Sequence, residues 1–156
     1  MTSTEFIVRP GTQEVMVTRV FDAPREVVFK TITDPNLIPR WWGPRNQTTI
    51  VDKMDLRPGG LWRYVSRNPD GSEDAFHGVY HAIVPPEQVV NTFEYEGMPG
   101  HVLMETVTLE DVDGKTRMTT KSVYQSIDDR DGMVASGMET GATESWDRLA
   151  ELLTTV

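Results

Sequence analysis

There is no cysteine in this 156-residue chain, so it has neither a disulfide framework nor thiolate chemistry. Long apolar runs are missing too, and no stretch approaches the roughly 18 residues of a membrane-spanning helix. The opening MTSTEFIVRPG has no basic start and no apolar core, so a secretory signal is not expected there. Basic residues are fewer than acidic ones, 15 against 24, for a net charge of −9. That sign disfavours nucleic acid, whose affinity rests on neutralising phosphates, and the basic residues are too scattered to form a local patch. The G-x-S-x-G, P-loop and G-x-G-x-x-G patterns are absent, which removes the common hydrolase and nucleotide-binding classes. A cytoplasmic protein fits all of these absences.

What is present suits one globular domain over residues 1–156, long enough to bury a substantial core. Thr2 to Thr12 reads as an irregular arm or short edge segment. Glu14 to Phe21 alternates as a strand, and Asp22-Ala23-Pro24 stops it and starts a helix through about Thr33. Leu37 to Trp42 reads as a second short helix, bounded by Gly43-Pro44. Six strands follow: Gln47–Leu56, Leu61–Ser66, Glu73–Val84, Gln88–Glu96, His101–Val112 and Thr116–Gln125. Asp113-Gly114 is a strong hairpin signal between the last two. Strands joined by tight turns predict an antiparallel sheet of about seven strands, with one face to be covered.

Only the C-terminal segment can cover it. Ser126 to Val156 reads as one long amphipathic helix, capped by Ser126, with Asp128, Asp129 and Asp131 at the positive end of its dipole. Val134, Met138, Gly141, Ser145, Leu149 and Leu152 share a face at 100° per residue. The second half of that face is leucine-rich, while Gly137, Gly141 and Ser145 leave the first half short of bulk. Removing a large core side chain costs about 2–5 kcal/mol. Three small positions together therefore call for a close backbone approach, water or a ligand.

The sheet offers an aromatic counterpart. Trp62 and Tyr64 share one strand face, as do Phe76, Gly78 and Tyr80 on the next strand. As structure this is ordinary packing against a helix; as function it is the wall of a small-molecule site. Trp41 and Trp42, between a short helix and a turn, read as a plug of the core or as an aromatic wall at a cavity mouth. His77 and His81 lie about 13 Å apart on a strand, too far for one ion, so no metal is expected. The carboxylates Glu94, Glu96, Glu110 and Asp111 read as exposed. No residue is assigned a catalytic role, and no cofactor is implied.

The phrases FDAPREVVF, TDPNLIPRWWGP, DLRPGGLWRY, FHGVYHAIVPPE and ASGMETGATESWDRLAELL resemble a bacterial family. It is the family similar to the activator of heat-shock protein 90 ATPase, within the START, polyketide cyclase and birch-allergen-like (SRPBCC) superfamily. The resemblance runs from about Val15 to Leu153. It implies an α+β helix-grip fold, with the curved sheet around a long C-terminal helix, two short helices after the first strand, and a cavity between sheet and helix. The expected lining is Trp41, Trp42, Trp62, Tyr64, Phe76, Tyr80 and Met118, with Gly137, Met138, Gly141 and Ser145 from the helix. The expected function is binding of a small hydrophobic or aromatic molecule, without catalysis. Two alternatives stand beside it: an acid–base enzyme of cyclase type, which needs a titratable group in the cavity, and a chaperone-regulating interaction module linked to stress response. The family name favours the last; the residues do not.

Overall fold

A computed structural model describes residues 3–156. All the strands join one antiparallel sheet in the order β1-β2-β8-β7-β6-β5-β4-β3. The sheet begins with β1 (Glu5–Ile7) and β2 (Glu14–Phe21), then crosses through α1 (Arg25–Thr33) and a 3₁₀ turn at Ile38–Arg40. A meander follows: β3 (Thr48–Met54), β4 (Leu61–Arg67), β5 (Glu73–Val84), β6 (Gln88–Tyr95), β7 (Val102–Val112) and β8 (Lys115–Val123). The chain then closes over the sheet with α2 (Ile127–Ala135) and α3 (Met138–Leu153). This is the helix-grip architecture.

The last hairpin of the meander has a local cause. Asp113 and Gly114 both take positive φ, 53° and 84°, as the two central residues of a type I′ turn require. Irregular pairing between Val51 and Lys53 and between Tyr80 and Ala82 breaks two ladders, and bulges of this kind bend and twist a sheet.

The arm's reading as a short edge segment holds: part of it pairs as β1 at the sheet edge, with Glu5 opposite Thr18 and Ile7 opposite Met16, which brings the strands to eight. Thr2, at the start of that arm, lies outside the described residues. Two other expectations are revised. The second short helix is only a 3₁₀ turn, with Trp41 already leaving helical geometry as its C-cap. The C-terminal segment is two helices, not one. Ser126 does cap the first, accepting a hydrogen bond from the Asp129 N–H at 3.0 Å. Ser136 ends that helix, and Gly137 at φ 86° starts the next. A left-handed residue cannot continue a right-handed helix, and glycine adopts that conformation without steric cost.

The packed core lies toward the C-terminal end of α3. Leu149 is 0% exposed, and Trp146, Leu152 and Leu153 are buried beside Val15, Val17 and Phe21 of β2 and Val28 of α1. Phe21 and Trp146 pack at 5.7 Å between centroids with their planes tilted by 54°. Arg19 ties the same region together, donating to Asp147 at 2.6 Å while lying 5.3 Å from the Phe21 ring centroid.

Candidate functional site

Toward the N-terminal end of α3 the packing opens into a cavity of about 370 Å³ between the helices and the sheet. Every residue expected in its lining is there except one: Trp41, Trp42, Trp62, Tyr64, Phe76 and Tyr80, together with Met118, Met138, Gly141 and Ser145. Gly137 is the exception. It does not line the cavity; its small size answers the left-handed break between α2 and α3.

The aromatic wall is continuous. Trp42 meets Tyr64 at 5.2 Å and Phe76 at 5.3 Å, both edge-on. Trp62 packs on Tyr64 at 4.7 Å and on Phe93 at 5.8 Å. These separations suit the attraction between ring edges and faces. The two adjacent tryptophans divide their roles. Trp41 is buried and donates its indole N–H to the Thr31 carbonyl at 3.3 Å, anchoring the segment to α1. Trp42 is less buried and joins the aromatic wall of the sheet. Gly78 leaves room for a neighbour: a Cβ there would lie 1.9 Å from the Thr92 carbonyl oxygen and 2.6 Å from the Trp62 Nε1. Trp62 uses that space to donate to the Thr92 carbonyl at 3.2 Å.

The small residues of α3 are small for different reasons. Ser145 fills a bonding role: its hydroxyl donates to the Trp41 carbonyl at 3.1 Å and accepts from the Gly43 N–H at 3.2 Å. One turn on, Arg148 donates to the Gly43 carbonyl at 2.9 Å and to the Pro44 carbonyl at 3.3 Å. Together they fasten the Trp41–Pro44 segment beside the cavity. At Gly141, by contrast, an added Cβ would meet Pro44 Cγ at an ordinary 3.8 Å. No backbone approach explains that glycine, and the space beside it is cavity.

The cavity also holds a polar row that the sequence reading missed. Across the inner face, Tyr80 pairs with Asn91, Asn91 with Glu105, and Glu105 with Ser122. All four line the cavity, and Glu105 is the only Asp, Glu, Lys, Arg or His among the lining residues described. Burial pushes its carboxyl up to about 7, against a hydrogen bond with Asn91 that favours the ionised form. Burial likewise raises Tyr80 and Tyr124 to about 12 and Tyr64 well above the ordinary phenol range. The nearby Glu105 adds to the rise at Tyr64 and Tyr124. Ser66 contributes a buried hydroxyl with no hydrogen-bond partner.

The other predicted features sit outside. His77 lies on the opposite face with Glu96 at 2.9 Å and Glu94 at 3.3 Å. Arg63 and His77 hold the Glu96 carboxyl down at about 2. These two glutamates, read as exposed, are therefore engaged in a partly buried cluster. His101 pairs with Asp129 of α2 at 2.9 Å. Among the described residues no group of three or more His, Asp or Glu side chains is placed to hold a metal ion. No described helix is long and apolar enough to cross a membrane.

A curved antiparallel sheet closed by a C-terminal helix over an interior cavity defines a helix-grip protein of the SRPBCC type. The chain belongs to the family described as Activator of Hsp90 ATPase homolog 1-like protein, whose family model matches residues 22–154. It is similar to a protein from Arthrobacter aurescens solved in solution, at 25% identity over 97% of this chain and 92% of that one, with a TM-score of 0.89. It is also similar to protein Ms6760 from Mycobacterium smegmatis, at 26% identity over 98% of each chain and a TM-score of 0.88. DynU16, a protein of the dynemicin biosynthetic locus, shares the fold at 19% identity, over 92% of this chain and 48% of that one, with a TM-score of 0.68. Among proteins with curated functions, none matches this sequence.

Proposed function

We propose that this protein binds a small apolar or aromatic molecule between the sheet and the N-terminal half of α3. The observation that carries this reading is the cavity of about 370 Å³, with an aromatic wall on the sheet side and an unobstructed Gly141 on the helix side. That volume is in the range of small-molecule sites, which are mostly apolar with a few fixed polar groups. Trp41, Trp42, Trp62, Tyr64, Phe76, Tyr80, Met118, Met138, Gly141 and Ser145 are the proposed contact residues. Calorimetric titration with naphthalene-sized probes tests the reading. Saturable binding is expected in the native chain and its loss in Ala142→Phe, a substitution at a lining position, with the fold intact by circular dichroism. Absence of saturable binding in the native chain contradicts it.

A second reading, an enzyme using acid–base chemistry, is favoured by one observation. Glu105 supplies the titratable group such an enzyme needs, and a carboxyl balanced near neutral pH can take a proton from a bound molecule and return it to another atom. Turnover of a cyclisable polyketide-like substrate, lost in Glu105→Gln with binding retained, would support catalysis. Retained turnover in that variant would remove it.

A further inference from the structure

We propose that the cavity is selective for aromatic bases: a ring system carrying a basic nitrogen, bound as a cation against the Glu105 carboxylate. This deepens the ligand-binding reading and rests on it. The argument starts from charge. Glu105 brings the only formal charge among the described lining residues, and no lysine, arginine or histidine lines the cavity to compensate it. A half-buried carboxylate facing a largely apolar cavity favours a counter-charge or a proton. Below its titration near 7 the carboxyl takes up a proton; a cationic ligand offers the pairing instead.

The groups facing Glu105 support the same sign. From β4 comes Tyr64, from β5 Tyr80, and from the segment after β8 Tyr124, all phenols held neutral by burial. Asn91 and Ser122 flank it on the neighbouring strands and carry no charge. From α2 comes Arg130, close enough to influence Tyr124; it lies outside the cavity lining, pairs with Asp131 at 3.0 Å through Nη2, and keeps Nε and Nη1 buried without a partner. The lining residues of β2 and α3 are uncharged. The aromatic faces of Trp42, Tyr64 and Phe76 complete the preference, because ring faces attract cations within about 6 Å. An anion would meet the carboxylate and the negative faces of the rings. The chain's net charge of −9 adds a field of the same preference.

Binding should then be linked to protons. The ligand arrives as an ammonium, and below the titration of Glu105 one proton leaves the carboxyl for solvent as the pair forms. Affinity for a strongly basic amine should rise about tenfold between about pH 6 and about pH 8, as the ionised fraction of a carboxyl titrating near 7 grows. It should level off above that.

Three probes of one shape decide it by calorimetry: naphthylmethylamine, naphthylmethanol and naphthoate. At about pH 8 the amine should bind at least about tenfold more tightly than the alcohol, and naphthoate most weakly. In Glu105→Gln the amine should lose its advantage over the alcohol and its pH dependence. Two results overturn the charge proposal and leave ligand binding standing: an alcohol or naphthoate bound as tightly as the amine, or an amine preference that survives Glu105→Gln. If no probe binds saturably to the native chain, both readings fall. Should the variant not fold, the pH profile of the native chain alone decides, since a flat amine affinity contradicts the proposal.

Discussion

The two ends of α3 follow different rules. At its C-terminal end Leu149, Leu152 and Leu153 close against β2 and α1 with almost no exposed surface. At its N-terminal end Gly141 and Ala142 border the cavity, and the facing sheet sets a wall of rings beside aliphatics such as Leu103 and Val107. One helix thus anchors the fold with one half and roofs a space with the other. The local sequence does not mark the boundary: Ser145 sits in the small-residue half, yet its hydroxyl bonds the Trp41–Gly43 segment as firmly as a core contact would.

Substitutions can break or sharpen this contrast. The largest effect is expected at the packed end: Leu149→Ala should cost about 2–5 kcal/mol in denaturant unfolding. A much smaller loss would mean that the leucine half is not the anchor.

Next comes Glu105 at the hollow end. Its folded carboxyl titrates near 7 against a reference of 4.5, so between those values the native state holds a proton that the unfolded chain has released. Native stability should therefore fall as pH rises through that window, by up to about 3 kcal/mol, and stay level above it. Glu105→Gln should remove the slope, matching the native chain at about pH 4 and exceeding it by up to about 3 kcal/mol at about pH 8. Parallel stability profiles for the two proteins would contradict the burial of this carboxyl.

Ser145 and Gly141 then separate two kinds of small residue one turn apart. Ser145→Ala removes the acceptor of the Gly43 N–H and should cost about 1–3 kcal/mol. Gly141→Ala should do the opposite, stabilising by up to about 1 kcal/mol through helix propensity, because its Cβ meets Pro44 at ordinary contact distance. Thermal unfolding of the pair checks both signs. Equal losses would mean that the helix is tightly packed along its whole length.

Most of the architecture was legible because its signals are local. Ser126 caps as its position suggests, Asp113-Gly114 turns as its residue types require, and the meander follows. The break at Gly137 was not legible from periodicity, since Val134 and Met138 stay in phase across it while the backbone does not. Glu105 was missed although a signal existed. Alternation along β7 places it in the inward set with Leu103 and Val107, where an acid is out of place. Ser145 could not have been understood from sequence, because its partners lie more than 100 residues away. Gly78 likewise answers to Thr92 and Trp62, whose approach exists only in the folded sheet.

The central claim is that the hollow end of α3 is a ligand site, and the methionines can report on it directly. Met54, Met118, Met133 and Met138 line the cavity, while Met98 and Met104 are 56% and 45% exposed. In a methyl NMR titration of the methionine-labelled chain with naphthylmethylamine and, separately, with naphthylmethanol, the four cavity methyls should shift together and saturate with at least one of the two, with Met98 and Met104 unmoved. Shifts confined to Met98 and Met104, or no saturable shift at any of the six, would contradict the account.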